Sequence, residues 1–259
     1  MKINNCAILA GGFGTRMAEY TQTIPKPMVE IGGKPILWHI MKIYSHYKIN
    51  DFIICLGYKG HLIKEYFVNY SLYNSDLTID LKKDSLKIHH KYSEPWTITL
   101  VDTGLETMTG GRLKRVEEFI KDETFCFTYG DGVANIDIAK LIKQHKKGKL
   151  EATVTGIYKP ERFGKIKSKN NIVTDFSEKP ADLNFMINGG FFVLNPSVIK
   201  YIKNDNSIWE KEPLEKLTKK RQLGVYMHKG FWHSMDTLRD KKVLEEMWST
   251  NIAPWKIWK

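Results

Sequence analysis

The chain has 259 residues, with 40 Lys plus Arg against 29 Asp plus Glu, a net charge of +11. Hydrophobic residues make up 42% and charged residues 27%, a globular balance that excludes disordered and fibrous classes. No run of about 18 apolar residues occurs, so no helical membrane span is expected, and Ile3 to Ala10 runs into glycines without the cleavage pattern of a signal peptide.

Asn5 to Ala10 reads as a buried strand that ends in a glycine turn. Pro35 to Tyr47 has helical spacing with Pro in its first turn. Asp51 to Leu56 is a second apolar strand, and Leu62, Ile63, Tyr66, Phe67 and Tyr70 then recur at helical spacing. Strand and helix in alternation predict right-handed crossovers and a mostly parallel sheet.

Residues 72–104 break this rhythm with three short strands, Leu77 to Leu81, Leu86 to Tyr92 and Thr97 to Val101, read together as a small β-rich insertion. A helix over Gly111 to Lys121, a strand over Phe125 to Tyr129, a helix marked by Ile138, Leu141, Ile142 and His145, and a strand over Ala152 to Tyr158 follow. The last third predicts strands at Ile172 to Phe176, Phe185 to Leu194 and Gly224 to His228. Its helices are Ser197 to Lys203, Pro213 to Arg221 and Thr237 to Trp248. The fold class is α/β: a Rossmann-like, mostly parallel mixed sheet flanked by helices, in one domain over 1–259.

Cys6, Cys55 and Cys126 each stand in an apolar run, which predicts reduced core thiols in a cytoplasmic protein. The positive charge calls for an anionic partner. The lysines are scattered and no nucleic-acid reading module is present, so a phosphorylated small molecule is expected, not nucleic acid and not a membrane.

The most informative stretch is Leu9-Ala10-Gly11-Gly12-Phe13-Gly14-Thr15-Arg16, directly after the first strand. Glycines there let backbone N–H groups approach phosphate oxygens, Thr15 adds a hydroxyl and Arg16 a bidentate fork. It is neither a Walker loop nor a dinucleotide fingerprint, which removes support from P-loop hydrolysis and nicotinamide redox. Lys26 stands between Pro25 and Pro27, whose rings stiffen the backbone around its ammonium. Asp131 follows an apolar strand between Gly130 and Gly132, where a carboxylate faces the crevice of an α/β sheet. Asp236 stands before Thr237 at a predicted helix start and can also be read as a cap. Arg112 follows Gly110 and Gly111 at another helix start, where N–H groups suit an anion or a base edge. Trp38, Trp96, Trp209 and Trp232 read as core or subunit contacts, and His89 and His90 as part of a strand.

Residues 9–16, followed by Pro25-Lys26-Pro27-Met28, resemble the sugar-1-phosphate nucleotidyltransferases. The likeness runs along nearly the whole chain. It includes Glu30 to Ile40, Thr109-Gly110-Gly111-Arg112, Tyr129-Gly130-Asp131-Gly132, Asn188 to Phe192, Met235 to Asp240 and Ala253 to Lys256. These later segments resemble the glucose-1-phosphate cytidylyltransferase branch. Leu100 to Arg112 departs from the Gly-Leu-Ala stretch of thymidylyl and uridylyl relatives, and Met17-Ala18-Glu19 departs from a common Leu-x-Pro.

The resemblance implies a GT-A-like fold and Mg²⁺-assisted transfer of CMP from CTP to glucose 1-phosphate, in a homo-oligomer serving surface-polysaccharide synthesis. It implies catalytic roles for Arg16, Lys26 and Asp131, with the metal on Asp131 and Asp236. Nucleotide contacts fall to Leu9 through Arg16, Thr107, Arg112 and Gly130. Sugar-phosphate contacts fall to Lys26, Glu178, Lys179, Asn188 and Gly189. Residues 1–135 then serve mainly the nucleotide, and 136–259 mainly the sugar phosphate and the C-terminal part. Another nucleotide or sugar on the same chemistry, and a non-catalytic ligand sensor on the same fold, remain alternatives.

Overall fold

The computed structural model describes residues 3–90, 93–121, 123–158, 165–169, 172–177 and 186–258. Its centre is a seven-stranded sheet. In spatial order the strands are Leu223–His228, Ala152–Tyr158, Met186–Leu194, Phe125–Tyr129, Asn5–Leu9, Asp51–Leu56 and Thr97–Asp102. Six run in one direction, and Met186–Leu194 alone is antiparallel to both of its neighbours. The sheet is therefore mixed and mostly parallel, as the alternating pattern predicts.

Its two faces are read directly from the period of two along each strand. Cys6, Ile8, Phe52, Ile54 and Cys126 face one core with the helix Ile36–His46, which buries Ile36, Leu37, Ile40, Met41, Ile43 and Tyr44 there. Ala7, Leu9, Ile53, Cys55, Phe125 and Phe127 face the other core, closed by Leu113, Val116, Trp209 and Leu217. All three cysteines are buried and free, and burial pushes each thiol above its usual value, with Cys55 at about 12.

Several elements differ from the sequence reading. Thr97–Asp102 is not part of an insertion: it pairs in parallel with Asp51–Leu56 and forms one edge of the main sheet. Only Asp76–Asp80 and Ser85–His90 stand apart, as a hairpin. The helix read over Gly111 to Lys121 is two, Thr109–Arg115 and Glu117–Ile120, because Val116 leaves helical geometry. The helix around residues 62–70 breaks similarly at Asn69, and Pro196–Tyr201 is a 3-10 turn, not an α-helix.

The C-terminal segment returns to the first half of the chain. Trp248, Trp255 and Trp258 surround His39, with ring centroids 4.7, 6.2 and 6.1 Å away. Of the tryptophans read as core or subunit contacts, Trp209 is fully buried and Trp38 nearly so. No helix among the described residues is long and apolar enough to cross a membrane.

Candidate active site

The parallel strands deliver their carboxyl ends to one edge of the sheet, where loops collect around a crevice. The segment Ala10–Arg16 leaves the first strand there, Gly130 and Asp131 leave Phe125–Tyr129, and Leu105 to Met108 follow Thr97–Asp102. Together they line a cleft of about 430 Å³. Every residue expected at the nucleotide, Leu9 through Arg16, Thr107, Arg112 and Gly130, lies on its wall. A smaller cleft of about 200 Å³ is lined by Asn188, Gly189 and Trp232. The two share Tyr129, Asp131 and Asp236.

A short ladder that the sequence did not reveal brings Asp236 to Asp131. Trp232–Ser234 pairs antiparallel with Gly132–Ala134, and the Met235 N–H donates to the Asp131 carbonyl at 2.8 Å. The helix Leu238–Ser249 then begins, with Thr237 as its cap: the Thr237 hydroxyl accepts from the Asp240 N–H, and Asp240 accepts from Thr237 in return. The cap reading of Asp236 is thereby corrected, since Thr237 does that work and the Asp236 carboxylate is left to face the cleft.

At the junction Lys26 donates to Asp131 Oδ2 at 2.6 Å and to Asp236 Oδ1 at 2.8 Å. Its side chain is only 13% exposed. Burial lowers the lysine pKa, but the two carboxylates outweigh it and hold the ammonium above its ordinary value. Burial likewise raises Asp236, and Lys26, Ser234 and Arg16 pull it back below the usual carboxylate range. Arg16 Nη1 lies 3.4 Å from Asp236, with a side chain 75% exposed and free to move toward a ligand.

Two aspartate oxygens converging on one cation form a donor set that suits a hard divalent ion completed by phosphate and water oxygens. Among the described residues no group of three or more His, Cys, Asp or Glu side chains gathers into a metal cage.

Arg112 lies at the cleft wall yet is only 5% exposed. Its Nη1 donates to Leu56 O, Thr103 Oγ1 and Gly104 O at 2.9, 2.9 and 2.7 Å, and Nη2 donates to Leu105 O at 3.0 Å. The guanidinium is thus a strut beneath the 103–105 loop. Gly11 is required above it, since a Cβ there would lie 2.3 Å from Nη1. Thr107 is buried in the same wall. Glu178 and Lys179 lie outside the described residues.

The structure also brings in Tyr129, Thr109, Ser234 and Glu210, to which the sequence reading gave no role. Tyr129 ends a buried strand one residue before Gly130, and that position was the signal that could have marked it. Glu210 carried none, because it sits in an irregular loop. Its carboxylate accepts from the Tyr129 and Thr109 hydroxyls.

A fold of this kind with a glycine loop, two aspartates and a lysine on one crevice defines a nucleotide-handling transferase site. The chain belongs to the nucleotidyl transferase family, whose pattern it matches over residues 6–240. It is 58% identical to the glucose-1-phosphate cytidylyltransferase of Salmonella typhimurium, over 97% of this chain and 98% of that protein. It is 47% identical to a probable glucose-1-phosphate cytidylyltransferase of Bacillus subtilis, over the same shares of each. In fold it is similar to HddC from Yersinia pseudotuberculosis, with a TM-score of 0.69 and 21% identity over 95% of this chain and 100% of that one. A UDP-glucose pyrophosphorylase from Acinetobacter baumannii superimposes with a TM-score of 0.71 and 15% identity, over 96% and 94%.

Proposed function

We propose that the protein joins CTP and α-D-glucose 1-phosphate to give CDP-glucose and pyrophosphate. The observation that carries this is the meeting of the two clefts at Asp131 and Asp236, which Lys26 bridges from the larger one. The choice of substrates follows the Salmonella relative, which is similar from end to end. Residues 1–135 serve mainly the nucleotide, and 136–259 mainly the sugar phosphate. A homo-oligomer belongs to the same proposal, supported by the exposed Ile79, Leu81, Leu86 and Ile88 of the hairpin.

CTP lies in the larger cleft, its base toward Thr103 to Arg112 and its phosphates on the backbone N–H groups of Gly11 to Gly14. Thr15 and Arg16 hold the outer phosphates. Glucose 1-phosphate enters the smaller cleft beside Asn188 and Gly189, with Glu178 and Lys179 assigned to it by resemblance. Asp131 and Asp236 would hold Mg²⁺, which when bound supplies positive charge between the phosphate groups.

A phosphate oxygen of the sugar phosphate attacks the α-phosphorus in line. The new O–P bond forms as the bond to the β-phosphate oxygen breaks, and pyrophosphate leaves with that electron pair. The attacking phosphate is largely dianionic at neutral pH, its second pKa being about 6, so the site needs no strong base. The chain contributes position and charge. Lys26, which keeps its proton, provides the cation nearest the α-phosphorus.

The test is a panel of nucleoside triphosphates with glucose 1-phosphate, followed by pyrophosphate release and product mass. CTP should exceed dTTP by at least ~10-fold in kcat/KM, because a mismatched base leaves buried polar groups unpaired. Equal use of dTTP removes the cytidylyl reading, and absence of pyrophosphate with every pair removes the transferase.

A further inference from the structure

We propose that Glu210 is a positioning residue that fixes which hydrogen-bonding group the smaller cleft offers to the sugar. The proposal rests on the reading that a sugar 1-phosphate occupies that cleft.

Glu210 follows the fully buried Trp209 and lines neither cleft. Its Oε2 accepts from the Thr109 hydroxyl at 2.6 Å, and its Oε1 accepts from the Tyr129 hydroxyl. Thr109 Oγ1 in turn accepts from the Trp209 N–H at 2.9 Å, so its single proton goes to Glu210. An ionised carboxylate can only accept, and that sets the direction of every bond beyond it.

The consequence falls on Tyr129. Its hydroxyl donates to Glu210 Oε1. That proton is committed to Glu210, which leaves the phenol oxygen as an acceptor. Asn188 answers with its amide NH₂, Nδ2 lying 3.1 Å from the Tyr129 oxygen. At the other end Asn188 Oδ1 accepts from the Gly190 N–H at 2.8 Å, a group that can only donate. The amide orientation is therefore determined from both ends. One further N–H remains on Nδ2, in the wall of the smaller cleft, to donate to a sugar oxygen.

The backbone is built to allow this. Gly190 has φ +79°, and a Cβ there would lie 2.6 Å from the Tyr129 ring. The chain Thr109–Glu210–Tyr129–Asn188 runs from the nucleotide wall to the sugar wall, with Tyr129 on both. In Glu210→Gln the side chain can turn an NH₂ toward Tyr129. The phenol proton would then point at Asn188, whose flip would set Oδ1 against the tyrosine and an NH₂ against the Gly190 N–H.

The experiment varies each substrate at saturating levels of the other for wild type, Glu210→Gln, Tyr129→Phe and the double variant. Glu210→Gln should raise the KM for glucose 1-phosphate about 2- to 13-fold, the range of one hydrogen bond, with kcat and the CTP KM less affected. Tyr129→Phe, which removes the acceptor of Asn188 Nδ2, should raise the same glucose 1-phosphate KM, and the double variant should be no worse than either single one, because both act through one bond. An unchanged sugar KM in Glu210→Gln, an equal rise in both KM values, or additive losses in the double variant would each overturn the proposal. Failure of the wild type to release pyrophosphate would overturn the assigned activity and this proposal with it, whereas the variant outcomes above overturn this proposal alone, so the two failures are distinct. Glu210 is exposed, so its variant should melt within a few degrees of wild type; should it not fold, Tyr129→Phe decides alone.

Discussion

Lys26 and Asp131 are 105 residues apart in sequence, and their Nζ and Oδ2 lie 2.6 Å apart at the floor of the cleft. Two carboxylates hold the ammonium and two prolines flank its backbone, so its position is fixed before any ligand arrives. Lys26→Ala should lower kcat by roughly 10²-fold or more while the KM for CTP changes little, as expected for a cation that acts in the transition state. Steady-state kinetics decide it, and a loss confined to KM would make Lys26 a ground-state anchor instead.

Asp131→Asn should leave the fold intact, because the carboxylate is part-exposed and its backbone carbonyl still accepts from Met235. Metal-dependent turnover should fall by several kcal/mol of transition-state stabilisation. Chelation should silence the wild type and added Mg²⁺ restore it. A folded variant with near-normal pyrophosphate release would remove Asp131 from the site.

The two arginines of the cleft separate by burial. Arg112→Ala strips three hydrogen bonds from the 103–105 loop and a fourth from Leu56, and leaves a cavity, so it should destabilise the protein by about 2–4 kcal/mol in urea melts. Nucleotide use should erode more than sugar-phosphate use, since the loop leads into the wall of the larger cleft, to which the nucleotide is assigned above. Arg16→Ala removes an exposed side chain and should leave stability within about 0.5 kcal/mol while raising the KM for CTP. Equal stability of the two variants would contradict the strut.

His39 gives the stability a pH dependence. Burial drives its pKa down to about 4 from 6.5, against the opposing pull of the Ile31 and Lys34 carbonyls. Below pH 6.5 the unfolded chain takes up a proton that the folded one refuses until about pH 4. Stability should therefore fall as pH drops through that window, by about 3 kcal/mol in total from this group. His39→Gln should be less stable at pH 8 but lose this slope, as thermal melts from pH 4 to 8 would show. An unchanged slope would place the acid sensitivity elsewhere.

What the sequence determined by itself is local. Apolar runs of strand length, glycines after Leu9 and the Pro-Lys-Pro kink depend on near neighbours, and these gave the parallel sheet, the phosphate-facing loop and the position of Lys26. Asp131 was legible because a carboxylate right after a buried strand has one edge of the sheet to face. The tertiary structure decided everything that needed distant segments to meet. Three-residue pairing between 132–134 and 232–234 is too short to carry a periodic signal, yet it sets Asp236 beside Asp131. Arg112 and Arg16 are alike in sequence, and only packing buries one under Gly11 and leaves the other in solvent. Thr97–Asp102 looks like a hairpin strand until Asp51–Leu56 offers it a parallel partner. Glu210 reaches Tyr129 across 81 residues because Trp209 buries in the core and carries it there, a placement set by side-chain volume and not by any pattern along the chain.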